Sequence, residues 1–353
     1  VWPRMETQRV DTGTGGRSFW PWGLTFCFWP MRRGHWRQVG MSAERYLLVD
    51  LGGTNTRVAS GDAHGVVAKT TRSFRNRNFG GLGEVLNAYL KDQPGGVHGL
   101  CAGVAGPVQN GTAQLTNYDW WIDAADLRKV TGAQHVHLIN DLQAQGYALG
   151  DVPQTSIRQV KTGDLRAGTR LVLNLGTGCN GAVVHEIGDR LFVPAAEAGH
   201  STLPHSDGDL RALFDHLRES HAHLPIEAVL SGPGLARVHA WVTGAAGVPL
   251  SPEAVIAEIA TGGAAAQTTL SLFLCTLGAV AGNFALHHLP MGGLYLSGGL
   301  AEAMVPYLDD PRFHEPFVAR GPYTDIVRAI PVFVIAEDGF ALRGCHRYLM
   351  QTA

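Results

Sequence analysis

The sequence predicts an α/β protein built from two related halves, and three observations carry that expectation. Two glycine-rich turns, each flanked by apolar strand-like runs, lie far apart in the chain. The first runs Tyr46-Leu47-Leu48-Val49-Asp50-Leu51-Gly52-Gly53-Thr54-Asn55-Thr56-Arg57-Val58-Ala59, and the second Leu171-Val172-Leu173-Asn174-Leu175-Gly176-Thr177-Gly178-Cys179-Asn180-Gly181-Ala182-Val183-Val184. Around them, apolar runs of strand length alternate with stretches of helical spacing. The 353 residues, 45% of them apolar, suffice for two domains with substantial cores. The two turns form a weak internal repeat between halves, not a solenoid period.

Each element has a local reason. After Arg57 a second strand runs to a Gly65 turn, and a third strand covers Val66–Thr70. Leu82, Val85, Leu86, Tyr89 and Leu90 recur at helical spacing and predict a helix over 82–90. His98–Val104 reads as a buried strand ending in Ala105-Gly106-Pro107, and Gln114–Thr116 as a short strand before the polar, aromatic loop Asn117-Tyr118-Asp119-Trp120-Trp121. Asp123 is placed to cap a following helix. His135–Ile139 is a strand ending at Asn140-Asp141, with a helix over 142–149. The connection Val152–Ser156 marks a domain boundary. Beyond the second glycine turn come helices over 208–220 and 268–288, a strand from Gly293 into a Gly298-Gly299 turn, a strand over 330–335, and a helix over 339–349.

The first forty residues stand apart. They hold five of the eight tryptophans, and their apolar patch Phe19–Met31 contains Pro21 and Pro30 and is too short to span a bilayer. No convincing small-residue cleavage site follows, so the expectation is a leader, 1–40, that is non-native or disordered, with Met41 as the start.

Bulk composition narrows the function classes. A formal net charge of −2 and no basic cluster beyond the leader argue against nucleic acid as partner. The five cysteines show no CxxC pair and no metal-finger spacing, which predicts reduced thiols in a cytoplasmic protein rather than a disulfide framework or structural zinc.

The glycine turns carry the first chemical signal. Successive N–H groups of a tight turn form a concave nest for phosphate oxygens. Gly52, Gly53, Thr54 and Asn55 in one half, and Gly176, Thr177 and Gly178 in the other, are the candidate contacts, with the two threonines adding hydroxyl donors. Neither turn matches GxxxxGK[ST] or GxGxxG. Asp50 ends an apolar strand, where an unpaired carboxylate is costly; Mg²⁺ or its water shell relieves that cost.

Asp141 carries the second signal. It follows an apolar strand, and ligands gather at the carboxyl ends of α/β strands. A carboxylate there accepts the proton of an attacking hydroxyl, with Asn140 hydrogen-bonding the same substrate; the plain alternative is that Asp141 only caps the next helix. Glu197-Ala198-Gly199-His200 and Glu227 add carboxylates and an imidazole, which suit the vicinal hydroxyls of a sugar; taken singly, each also reads as an ordinary surface or structural group.

Together these residues resemble the bacterial glucokinase family, typified by the enterobacterial enzyme, from about residue 46 to 348, with every motif in the family's order. Asp50–Arg57 is similar to its first phosphate motif, Leu175–Gly178 to its second, and Leu296-Ser297-Gly298-Gly299-Leu300 to its adenosine motif. Ala105–Val108 and Leu115-Thr116-Asn117 resemble the segment that reaches the sugar, and Ile139-Asn140-Asp141-Leu142 the family's Ile-Asn-Asp-Phe, whose aspartate is the base. Glu197–His200 resembles Glu-Gly-Gly-His, and Glu227 with Leu230–Gly234 a further sugar segment. The resemblance implies an actin-like ATPase (ribonuclease H-like) fold whose active-site cleft lies between a small domain, 41–150 plus 338–353, and a large one, 151–337. It implies ATP and Mg²⁺ as cofactors, with Asp50 reaching the metal through water and Gly298 and Gly299 at the adenosine. It implies transfer to the 6-hydroxyl of glucose with Asp141 as base; Asn117, Asn140, Glu197, His200 and Glu227 as sugar contacts; no membrane; and a homodimer.

Three departures stand out. Ala198 replaces a glycine and puts a methyl into the sugar loop, Cys179-Asn180 replaces a small or apolar pair, and Leu142 replaces an aromatic neighbour of the base. The rival readings are a kinase for another hexose, a sugar-binding regulator without turnover, and an actin-like structural or chaperone ATPase. The regulator predicts a helix-turn-helix or a lost base, and the structural ATPase has no need of Glu197, His200 and Glu227 together.

Overall fold

The computed structural model describes residues 44–93, 95–115, 118–221, 223–245 and 249–352; the leader, with the expectation attached to it, lies outside them. In the first half the strands are β1 (Tyr46–Leu51), β2 (Asn55–Asp62), β3 (Gly65–Val66), β4 (Arg72–Arg75), β5 (Gly99–Val104), β6 (Val108–Gln109), β7 (Thr112–Gln114), β8 (Trp121–Asp123) and β9 (His135–Asn140). The helices are α1 (Leu82–Leu90), α2 (Ala124–Thr131) and α3 (Asp141–Ala148). In the second half the strands are β10 (Ile157–Lys161), β11 (Arg170–Leu175), β12 (Cys179–Ile187), β13 (Arg190–Phe192), β14 (Leu294–Ser297) and β15 (Val332–Ile335). The helices are α4 (Gly208–Arg218), α5 (Gly232–Thr243), α6 (Pro252–Thr261), α7 (Ala264–His288), α8 (Gly299–Met304), α9 (Pro311–Val318), α10 (Thr324–Arg328) and α11 (Ala341–Thr352).

The internal repeat proves to be a repeat of topology. The first sheet runs β3-β2-β1-β5-β9, and five strands of the second run β13-β12-β11-β14-β15, with β10 added at the edge. Directions match strand for strand. Each glycine turn closes an antiparallel hairpin, β1–β2 or β11–β12, and two parallel strands follow on the other side of the first hairpin strand. Parallel strands are covered on both faces, which is why β5 is buried throughout and reads as a continuous apolar run.

Helices α3 and α11 pack against each other and join the two halves. One buried cluster combines Tyr46, Leu48, Ala59 and Cys101 of the first sheet with Val172, Ala182, Val184 and Tyr295 of the second, and with Leu142, Tyr147, Leu342 and Leu349 of these helices. The helices approach so closely that a Cβ at Gly344 would lie 1.7 Å from the Ala144 carbonyl oxygen. The 25-residue α7 is apolar and long enough to cross a membrane by composition; here it is two-thirds buried against α5, α6 and α9.

Local signals account for most boundaries. Asp123 accepts from the Ala125 and Asp126 N–H groups and caps α2, which ends at left-handed Gly132. Ser231 and Ser251 cap α5 and α6, each with proline in the first turn. The structure departs from expectation after Gly65: β3 stops at Val66, and Ala68–Thr70 form a 3₁₀ turn. There the Thr70 hydroxyl donates to the Val67 carbonyl at 2.6 Å and accepts from the Ser60 N–H at 2.9 Å, a local pattern that displaces the strand ladder. Of the strand predicted at Gln114–Thr116, Gln114 closes β7 (Thr112–Gln114), Leu115 lies beyond it, and Thr116 is outside the described residues. The one predicted from Gly293 ends at Ser297, because Gly298, at φ 92°, turns the chain into α8.

Candidate active site

Parallel strands bring their carboxyl ends to one edge, so β1, β5 and β9 place Asp50, Ala105-Gly106 and Asn140-Asp141 side by side. In the second sheet β11 and β14 do the same for Gly176 and Gly298. Side-chain contacts join these two edges. Gln145, one turn beyond Asp141 on α3, accepts from Ser297 Oγ at 2.8 Å and Asn174 Nδ2 at 3.4 Å. Asn140 Nδ2 donates to Glu197 Oε1 at 3.3 Å and to the Gly106 carbonyl at 3.1 Å.

The capping question at Asp141 has a definite answer. Asn140 is the cap of α3: its Oδ1 accepts from the Leu142 N–H, and the Gln143 side chain accepts from the Asn140 N–H. Asp141 is the first helical residue, and its carboxylate accepts from the Leu142 N–H at 2.8 Å. Its pKa is pushed up to about 7: burial contributes most, the charge of Asp50 adds, the Leu142 hydrogen bond opposes, and the Glu197 charge adds again.

Asp50 is raised by burial, against the pull of Arg57, whose guanidinium lies 3.5 Å away and also reaches Asp338 at 3.4 Å. A hard divalent cation fits this environment, since the carboxylate is mostly buried, faces a second carboxylate in Asp141, and has one long ion pair among the described residues. Among the described residues no group of three or more His, Cys, Asp or Glu forms a ready-made metal cage. Mg²⁺ needs none, because it keeps most of its waters.

The turns are held from behind. Asn76, fully buried, donates to the Gly52 carbonyl at 2.8 Å and accepts from the Thr56 hydroxyl at 2.7 Å, while its N–H donates to the Thr54 carbonyl. In the second turn the Gly176 N–H meets the Gly178 carbonyl, and the Gly232 N–H meets the Gly176 carbonyl. Gly178 has no left-handed φ; a Cβ there would sit 3.2 Å from Glu227 Oε2, so its small size is what lets that carboxylate approach. Gly298 needs both properties, since its φ is positive and a Cβ would press on the Leu175 carbonyl at 2.6 Å. Thr54, Asn55, Thr177 and Gly299 are exposed, and Gly52 and Gly53 half-buried.

The sugar candidates also gather. His200 Nδ1 lies 3.8 Å from Glu227 Oε1, and the Cys179 N–H 3.5 Å from Glu227 Oε2. Glu197 is raised by burial and by the Glu227 charge, with His200 opposing. Gly199 is sealed against the Cys179 backbone: a Cβ there would lie 1.6 Å from that carbonyl oxygen. The Ala198 methyl is accommodated beside Gly181. Asn117 lies outside the described residues. The structure adds Asn76, Gln145 and Asn174 to the site; of these only Gln145 carries a sequence signal, its i+4 spacing from Asp141.

A family model for glucokinase matches residues 47–352. The glucokinase of Rhizobium etli (strain CIAT 652) is 31% identical over 319 residues, covering 87% of this chain and 92% of its own. The crystal structure of a glucokinase from an Antarctic psychrotroph superposes with a TM-score of 0.75 at 29% identity, over 87% of this chain and 99% of that one. A ROK family glucokinase from Streptomyces griseus, solved with glucose and AMPPNP, shares the fold at 18% identity and a TM-score of 0.59, over 88% of this chain and all of its own. The paired sheets are thus those of the actin-like ATPase fold, and the chain belongs to the glucokinase family and is a sugar kinase.

Proposed function

We propose that this kinase transfers the γ-phosphoryl group of ATP to the 6-hydroxyl of glucose, with Asp141 as general base. The observation that carries this reading is the state of Asp141. Asn140 takes the capping role, and the Asp141 carboxyl, pushed up to about 7, is matched to accept a hydroxyl proton near neutral pH. As the sugar oxygen forms its bond to the γ-phosphorus, its proton passes to Asp141 and ADP leaves. Phosphoryl transfer asks the protein mainly for positioning and charge stabilisation. The turns Gly52–Asn55 and Gly176–Gly178 serve the phosphates through N–H groups other than those of Gly52 and Gly176, which close their own turns onto Asn55 and Gly178, and the turn at Gly298-Gly299 serves the adenosine.

Asn140, Glu197, His200 and Glu227 serve as the sugar's polar contacts, joined by Asn117. A site built on hydrogen bonds to hydroxyls strongly rejects sugars that lack them. Asp50 is the residue to hold the Mg²⁺ of the nucleotide, through its water shell. The metal's contribution is to neutralise charge on the phosphates. Division of labour between a small domain (41–150 plus 338–353) and a large one (151–337), closure around glucose, assembly as a homodimer and a cytoplasmic location complete the reading.

The test is ADP formation with ATP and Mg²⁺ across a panel of hexoses, with Asp141→Asn in parallel. Glucose-dependent turnover that falls at least a thousandfold in the variant is expected. Turnover confined to another sugar, or an Asp141→Asn variant as active as the parent, overturns the substrate or the base respectively.

A further inference from the structure

Asn180, four residues beyond the start of the second glycine turn, spends three of its four hydrogen bonds on the sugar loop and the fourth on its neighbour Gly181. Its Oδ1 accepts from the N–H groups of Gly181 and Ala198, both at 2.8 Å. Its Nδ2 donates to the Ala196 carbonyl at 2.8 Å and to Glu197 Oε2 at 3.1 Å. An amide offers two donor hydrogens and two acceptor lone pairs, so nothing is left over. The orientation is also fixed, because a flipped amide would oppose oxygen to oxygen and N–H to N–H.

The other oxygen of Glu197 accepts from Asn140, the neighbour of Asp141. Glu197 is therefore held at both oxygens by amides from opposite sheets: Asn140 ends β9, and Asn180 lies in β12. A carboxylate raised by burial gains most from such donors, which favour its charged form. We propose that Asn180 is a positioning residue for sugar selectivity: it fixes the direction of the Glu197 carboxylate and holds the loop carrying Ala198 in register. The inference rests on the glucokinase reading of the site. It also bears on how the loop accepts a methyl at Ala198, since the Ala198 N–H is tied to Asn180 and even a Cβ added at Gly181 would stand 3.8 Å from that methyl.

The test compares Asn180→Asp and Asn180→Ala, each alone and combined with Glu197→Gln. Asn180→Asp keeps the two-acceptor edge that holds the loop but sets an oxygen against Glu197 and the Ala196 carbonyl. The expected result is a KM for glucose raised about 10–100-fold by Asn180→Asp, the scale of one hydrogen bond to a charged group, with the KM for ATP within about twofold of the parent. In the Glu197→Gln background the amide introduced at position 197 can donate to the carboxylate introduced at position 180. There the same change is expected to cost clearly less glucose affinity than in the parent, by calorimetry without nucleotide, the remainder being the lost donor to the Ala196 carbonyl. Asn180→Ala is expected to fall between parent and Asn180→Asp. If Asn180→Asp leaves the KM for glucose within twofold, or if its penalty is undiminished beside Glu197→Gln, Asn180 is only a loop staple and the inference fails. Glucose turnover by the unmodified protein is measured first, so failure of the substrate assignment is seen separately.

Discussion

Asp50 and Asp141 stand at the carboxyl ends of β1 and β9, and the charge of the first raises the proton affinity of the second. Two carboxylates in one cleft resist simultaneous ionisation. On the proposed function, the same pairing that burdens the free protein prepares one group to receive a cation and the other to receive a proton.

The glucose-dependent kcat/KM should therefore rise with pH through about 7, as Asp141 loses its proton, and level off above. Asp50→Asn removes one cause of the raised value, so the carboxyl of Asp141 should titrate lower in that variant. The checks are a pH–rate profile for the parent and infrared titration of the carboxyl band for Asp50→Asn. A rate flat from about pH 5.5 to 8.5 would contradict the assignment, since a base titrating near the operating pH must leave its mark there.

The Asp141 carboxyl also costs stability. Between its ordinary value of 3.8 and about 7 the folded state holds a proton that the unfolded chain has lost. Its contribution is thus intact below about pH 4 and is lost as pH rises through 7. Asp141→Asn, neutral throughout, should melt above the parent at about pH 8, on the order of 5 °C, and close to it at about pH 4. Calorimetric scans at the two pH values decide this.

Asn76→Ala strips partners from the Gly52 carbonyl and the Thr56 hydroxyl inside a buried setting. A loss of about 1–3 kcal/mol in urea unfolding is expected. With the first turn no longer braced, the KM for ATP should rise several-fold while glucose affinity is kept. A KM for glucose that moves instead would place the turn elsewhere in the chemistry.

Gly344→Ala forces α3 and α11 apart, because the Ala144 carbonyl occupies the space its methyl needs. The expected cost is about 3 kcal/mol or more. Gly263→Ala, where nothing lies within 4 Å of the added Cβ, should change stability by about 0.5 kcal/mol or less. Equal effects in the two variants would contradict the close seam between the helices.

Much of this architecture was legible because its signals are local. Asp123 announces its helix by type and position, and the 82–90 helix is set by the spacing of four buried side chains. The glycine turns were read correctly as hairpins, but the use made of Gly178 depends on Glu227, some fifty residues away in sequence. Asn76 and Asn174 give no signal at all, since the first is defined by the backbone groups that bury it and the second by the Gln145 and Ser297 side chains, all distant in sequence. Thr70 misled for the opposite reason: a β-branched residue in an apolar run suggests a strand, and only its hydroxyl partners show the 3₁₀ turn. The matching order of the two sheets was likewise hidden, because strand pairing across some fifty to a hundred and twenty residues leaves no local trace.

The late position of α11 sets a timetable for synthesis. The Cys345 thiol donates to the Val49 carbonyl, and His346 meets the Asp62 carbonyl, so residues nearly three hundred positions apart close one core. At synthesis rates of about 5–20 residues per second, β1 and β2 wait roughly 15–60 s for the helix that covers them. Through that interval the apolar side chains of Tyr46, Leu48 and Ala59 lack their final partners. The first half of this kinase emerges early and matures last, and its nascent strands are where a holding chaperone has most to protect.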